Sequence, residues 1–270
     1  MRYIYQASSI AGITLPPGTT CFKLLKALYG LKQSPRAWNL HLNGHLLGMG
    51  FIKMISDTCI YLKRYDHLLC IIAIYVDDIV IAASNLTLVN EVKNMFKGRF
   101  QMKDLGPITT LLGCRIIQNT TLSTLTMDQS FYAKNILKTF FPEGLTASEV
   151  PMSSETNLSS ADSPTTQEDK DLMLKFPYRQ AIGSLLWLAG GTRPDLSYAV
   201  AQVARFSCNP GMIHWKAILI IFLYLQGTIN LGIKYSTLTI TDTFTHITIT
   251  GYADSDHGRC IDTRLSLIHI

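Results

Sequence analysis

A chain of 270 residues can bury one large core or two to three modest ones. With 47% hydrophobic and 16% charged residues it is globular rather than generally disordered. The net charge of +5 is unevenly placed: residues 1–66 carry eight basic side chains against Asp57 and Asp66, a net +6 that leaves −1 for the rest. A basic region ahead of an acidic site suits a polyanionic substrate, although a solvated basic surface explains the charge alone equally well. In chain order, Ser34 is a natural N-cap and Pro35 suits a first helical turn. Trp38, Leu42, Leu46 and Met49 then recur at helical spacing, with Gly50 where the helix should stop. Lys32 and Gln33 fall on the loop entering that helix, where backbone N–H groups favour phosphate.

Residues 68–83 are apolar except for Asp77 and Asp78 at their centre. Runs of Ile and Val read as strands, so this is a hairpin with both carboxylates at or near its turn. Two buried carboxylates side by side are costly, and a divalent cation is the usual way to keep both ionised, Mg²⁺ being the hard, oxygen-seeking choice. The plain alternative is an exposed Asp-Asp turn. Ser84 and Asn85 offer caps for a helix with Leu88, Val92, Met95 and Phe96 on one stripe. Residues 103–106 read as a turn, 109–117 as strand, and 121–142 as strand and then helix. Residues 146–171, rich in Ser, Thr and acidic side chains, read as a surface linker. Helical patterns follow over 178–189, 194–206 and 212–226, and alternating Thr and Ile over 233–252 predict strands.

The cysteines (Cys21, Cys59, Cys70, Cys114, Cys208, Cys260) lack any C-x-x-C pair and read as reduced intracellular thiols. His41 and His45 have i, i+4 spacing without an accompanying carboxylate or Cys, so a helix face is the better reading. The apolar runs are too short or interrupted to span a bilayer, and no signal peptide is evident.

Residues 28–38, Leu-Tyr-Gly-Leu-Lys-Gln-Ser-Pro-Arg-Ala-Trp, together with Tyr75-Val76-Asp77-Asp78, resemble reverse transcriptases of copia-type LTR retrotransposons. The later blocks also look like that family: Lys103 to Gly106, Leu112 to Ile116, Tyr178 to Gly183, Thr192 to Asp195 and Gly251 to Asp256, in order and at plausible spacing. The resemblance covers nearly the whole chain, from about Cys21 to Arg264. It implies an α+β fold: a partial right-hand polymerase palm, a sheet with helices on one face, over residues 1–120. A thumb-like segment (121–150), the linker (151–176), a helical connection (177–235) and the first strands of a ribonuclease H-like domain (236–264) would follow. Residues 265–270 depart from the family and resemble a translated sequencing adapter, a non-native tail.

The implied reaction is RNA-directed DNA synthesis with Mg²⁺ or Mn²⁺, in which two metal ions stabilise the attacking and leaving oxygens of nucleotidyl transfer. By resemblance Asp77 and Asp78 are two of three metal-binding aspartates. Tyr75 would pack near the primer end. Lys32, Gln33, Ser34, Pro35 and Arg36 would contact nucleotide, template or other nucleic acid, and Leu112 and Gly113 would grip the primer. Asp254 resembles the first metal ligand of a ribonuclease H, with His257 where the family has Trp. No Asp or Glu precedes Asp57, which matches a structural position, so the third aspartate would belong to a missing N-terminal polyprotein segment, along with the fingers. The expectation is a fragment inactive alone, whose parent protein takes an RNA template, a DNA primer and deoxynucleotides and stays off membranes. It would work inside the cell, in a cytoplasmic virus-like particle or in the nucleus. A non-catalytic nucleic-acid-binding remnant is the alternative, and an unrelated two-carboxylate Mg²⁺ hydrolase would need further ligands near the pair.

Overall fold

The computed structural model describes residues 27–28, 30–140, 147–236 and 261–263, and the backbone of 3–6 and 21–24. The protein is α+β and divides into two compact units, Met1–Gly106 and Pro107–Ile270.

In the first unit, β1 (Tyr3–Gln6) and β2 (Cys21–Leu24) pair antiparallel. Helix α1 (Ser34–Gly48) carries Pro35 in its first turn, where a missing N–H costs nothing and the fixed φ suits the helix. Ser34, expected as the N-cap, is the first helical residue instead. Gln33 holds the cap position without a side-chain bond, and Ser34 Oγ donates to the Leu28 carbonyl, so the hydroxyl tethers the preceding loop. Gly50, at φ +82°, turns the chain after the helix as expected.

Strands β3 (Ile52–Lys53), β4 (Ile60–Tyr65), β5 (Leu68–Tyr75) and β6 (Asp78–Ala83) form an antiparallel sheet in that order. Cys70, Ile72 and Ile74 alternate inward along β5, the period-two pattern of a strand with one covered face. Helix α2 (Leu86–Lys97) is capped by Asn85, whose Oδ1 accepts from the Leu88 N–H at 2.8 Å. Leu42 and Leu46 of α1 and Leu88, Val92 and Phe96 of α2 join Tyr61, Cys70, Ile72 and Ile74 in one core. Each such burial is worth about 1.5–3 kcal/mol, which is enough to fix both helices on that face of the sheet.

In the second unit, β7 (Thr110–Leu111), β8 (Cys114–Asn119), β9 (Thr124–Asp128) and β10 (Ile233–Ser236) form an antiparallel sheet in the order β10-β9-β8-β7. The single strand expected over 109–117 is broken at Leu112 and Gly113, whose φ values of +50° and +80° make a two-residue hairpin turn. Helices α3 (Ser130–Phe140), α4 (Gln167–Met173), α5 (Tyr178–Gly191), α6 (Ser197–Ala204) and α7 (Met212–Gly227) share a second core. Helix α7 buries one broad face, with Trp215, Ala217, Ile218, Ile221, Phe222 and Leu225 in the core, and leaves Ile213 and Ile220 exposed on the other although its run is almost wholly apolar.

The stretch read as a surface linker is partly docked. Leu158 is buried in this core and Met152 packs against it, while residues 160–162 form a 3₁₀ turn. Its Ser and Thr side chains serve as caps: Ser159 Oγ accepts from the Ala161 N–H and Thr166 Oγ1 from the Asp169 N–H. Polar composition therefore marked capping as much as solvation. Of the strands expected over 233–252, only β10 lies within the described residues.

Candidate functional site

The hairpin expected at residues 68–83 is present, with Tyr75 opposite Asp78 and the two-residue turn Val76-Asp77 between them. Its carboxylates are not buried, however. Tyr75, Val76, Asp77 and Asp78 are all exposed, so enforced burial is not what would draw a cation there. The apolar flanks cover the strands, and the turn itself projects from the sheet.

What distinguishes the turn is its backbone. Val76 has φ +56° while Asp77 does not enter the left-handed region, the combination of a type II′ turn, whose first central position favours Gly. A β-branched residue there stores strain on the order of 1–3 kcal/mol. Val76 is 61% exposed, so its own burial does not offset that strain. The Val76 carbonyl accepts a 2.9 Å hydrogen bond from the indole Nε1–H of Trp38, in the second turn of α1. Trp38 in turn meets Phe100 edge to face, with ring centroids 5.5 Å apart.

This bond brings the N-terminal part of α1 to the hairpin turn, and with it the loop that carries Lys32 and Gln33. Lys32, Pro35 and Arg36 are exposed or half-buried there, as are Gln33 and Ser34. Trp38 is the residue whose role sequence reasoning misses: periodicity places it on the helix's apolar stripe, although its indole N–H, at the end of the 28–38 motif block, is a donor that needs a partner. Asp57 serves a turn, with Oδ1 accepting from the Cys59 N–H at 2.8 Å. Leu112 and Gly113 belong to the second unit, where Leu112 is 43% exposed. Asp254 lies outside the described residues.

Among the described residues no three His, Cys, Asp or Glu side chains gather as a metal cluster. The paired carboxylates nonetheless suit Mg²⁺ in kind: exposed oxygen donors that it takes one or two at a time, completing its shell with water and substrate phosphates. Asp104, in the turn closing the first unit, accepts from the Gly106 N–H at 3.0 Å and pairs with Lys93 at 2.9 Å and Lys97 at 3.2 Å. The Lys93 hydrogen bond, then those from Gly106 and Lys97, hold its carboxyl well below the usual carboxylate range. A carboxylate so engaged is a structural clasp. No described helix is long and apolar enough to cross a membrane.

Residues 11–154 match the family model described as reverse transcriptase (RNA-dependent DNA polymerase). Over 245 residues, 90% of the chain, it is 36% identical to a retrovirus-related Pol polyprotein from transposon TNT 1-94 of Nicotiana tabacum, of which it spans 18%. It is 30% identical over 245 residues to a putative transposon Ty5-1 protein of Saccharomyces cerevisiae, spanning 89% of this chain and 74% of that one. It is also 35% identical over 219 residues to a Pol polyprotein from transposon RE1 of Arabidopsis thaliana, covering 80% of this chain and 14% of that protein. No solved structure matches. With the Asp-Asp hairpin and the Gln33–Trp38 block in place, the chain belongs to the reverse transcriptase family, as a region of a copia-type retrotransposon Pol polyprotein.

Proposed function

We propose that the chain is part of the machinery for RNA-directed DNA synthesis, with Asp77 and Asp78 as the carboxylates that hold Mg²⁺ or Mn²⁺. The observation that carries this reading is the exposed, strained Val76-Asp77 turn, fastened by Trp38 to the helix that begins beside Lys32 and Gln33. When bound, the cations would stabilise the attacking and leaving oxygens of nucleotidyl transfer. Asp77 and Asp78 would present anionic oxygens, and Tyr75, opposite Asp78, would lie against the primer end. Lys32 and Arg36 would neutralise phosphates, while Gln33, Ser34 and Pro35 would shape the nucleotide and template pocket.

In this reading residues 1–120 are palm, with Leu112 and Gly113 gripping the primer, residues 121–150 are thumb-like and residues 177–235 are the helical connection. Residues 236–264 begin a ribonuclease H-like domain with Asp254 as a ligand. RNA template, DNA primer and deoxynucleotides would be partners of the longer polyprotein, in a cytoplasmic particle or in the nucleus. Because no acidic residue precedes Asp57, a third metal-binding carboxylate has to come from outside residues 1–56.

The test is primer extension on poly(rA) with oligo(dT). The 270-residue chain should give no extension, and the chain joined in frame to the upstream segment of a related element should extend. Asp78→Asn should then lower the rate by about 10²–10³ or more, as loss of a preorganised electrostatic group does. Undiminished extension by that variant refutes the assignment. Sequence-independent nucleic-acid binding without extension in the joined protein would favour a non-catalytic binding remnant.

A further inference from the structure

The Val76-Asp77 turn is held in a conformation that its own residues disfavour. Val76 sits at φ +56° with a β-branched side chain that is largely exposed, so contacts of that side chain do not account for it. A relaxed form is close at hand. Turning Val76 to the negative φ of a type I turn relieves its strain, re-aims its carbonyl and tilts the peptide that carries Asp77. That carbonyl is the acceptor Trp38 Nε1 engages at 2.9 Å. The indole is itself braced, edge-on to Phe100, and Phe100 is flanked by His41 and His45 at 5.5 and 5.1 Å and by buried Phe96 at 6.2 Å. A donor fixed from behind on a helix therefore reads the orientation of one peptide in the turn.

We infer that Trp38 is a positioning residue for the Asp77-Asp78 pair: its indole N–H holds the central peptide of the turn, with Val76 in the left-handed form, and so keeps the two carboxylates in one arrangement for a divalent cation. The inference rests on the reading of Asp77 and Asp78 as metal ligands, but the lock itself acts without metal. Phe at this position keeps the aromatic packing and loses the donor. Gly at position 76 accepts positive φ without strain and removes the need for the lock.

The experiment uses the whole chain, with backbone amide shifts and hydrogen exchange of Val76, Asp77 and Asp78 read in the absence of metal and Mn²⁺ affinity read by calorimetry. Trp38→Phe should shift these three amides, speed their exchange and weaken Mn²⁺ about tenfold, a change matching one strained residue's release. Adding Val76→Gly should restore the amide signature and most of the affinity, which a merely structural role for Trp38 does not predict. Unchanged amides in Trp38→Phe, or no rescue by Val76→Gly, overturns the role of Trp38. Should Trp38→Phe fail to fold, the wild-type Trp38 indole N–H decides: protection supports the lock, and exchange at the free-indole rate overturns it. The metal reading fails separately, if Asp77→Asn with Asp78→Asn leaves Mn²⁺ affinity unchanged.

Discussion

His214 lies flat against Phe206, with ring centroids 3.9 Å apart and planes within 8°. Both of its nitrogens are committed. Nδ1 accepts from the Gly211 N–H at 2.8 Å, which leaves the proton on Nε2, 3.1 Å from the Ser159 carbonyl. The ring is therefore held neutral, and protonation would set a second N–H against that of Gly211. Burial, the largest influence, pushes its pKa below the ordinary value, outweighing the opposing pull of the Ser159 carbonyl and of Asp162 and Asp262. A histidine with a lowered folded pKa contributes stability that is complete above the unfolded value of about 6.5 and is lost as pH falls from there toward the folded value. Urea midpoints should drop between about pH 7.5 and 5.5, and His214→Phe should flatten that drop. An equally steep fall in the variant would exclude His214 as its source.

Arg193 is nearly inaccessible, its side chain 2% exposed against 33% for Asp195, to which it pairs at 2.7 Å. It also donates to the carbonyl and hydroxyl of Thr228 and lies 5.7 Å from the centre of the Tyr224 ring. Burial alone would raise the Asp195 carboxyl, but the hydrogen bonds and charge of Arg193 hold it below its usual range. Arg193→Met should destabilise the chain by about 1–3 kcal/mol, because it removes the hydrogen bonds to Asp195 and Thr228 and leaves Asp195 with Tyr224 in place of the guanidinium. Arg193→Lys should recover little, since an ammonium cannot reproduce the planar fork. Chemical denaturation of the two variants checks both statements.

Asp128, 1% exposed, accepts from Arg115 at 2.9 Å and from the Ser130 N–H at 3.0 Å, where α3 begins. Burial raises its pKa, and the hydrogen bonds from Arg115 and Ser130 overcome that to leave it lowered. A depressed carboxylate stabilises the fold above the unfolded pKa of about 3.9, and that stability is lost as pH falls below it. Asp128→Asn should cost about 1.5–3 kcal/mol at neutral pH and weaken the acid dependence below about pH 4. Equilibrium unfolding from about pH 7 to 3 would show both effects.

Lys32, on the loop, and Arg36, in the first turn of α1, flank the cap and are both exposed. If they bind phosphates, replacing both with Ala should weaken binding to every nucleic-acid sequence alike. It should also reduce the slope of log affinity against log salt by about 0.7–0.9 for each phosphate no longer neutralised. Anisotropy titrations over a range of salt concentrations measure the slope, and an unchanged slope would remove these two side chains from the interface.

Much of the first unit was legible because one apolar period decides each element. Leu42 and Leu46 mark α1, Leu88, Val92 and Phe96 mark α2, and the run around Asp77 marks the hairpin. Exposure of the carboxylates was not legible, since apolar flanks on a projecting turn look the same in sequence as flanks around a buried one. Neither was the role of Trp38, whose partner lies 38 residues away and is a backbone carbonyl with no side-chain signature. The docking of Leu158 was hidden for a related reason: a lone apolar residue among Ser, Thr and Asp carries no period.

The pairing of β10 with β9 has a consequence for how the chain can be cut. The two strands are roughly a hundred residues apart, so their pairing carries a loop-closure cost that local hairpins such as β8–β9 do not. A fragment ending at the close of α7 (Gly227) would keep every described helix yet leave β9 with a bare edge. Such an edge recruits strands from neighbouring molecules, so a truncation that looks conservative on paper would favour self-association.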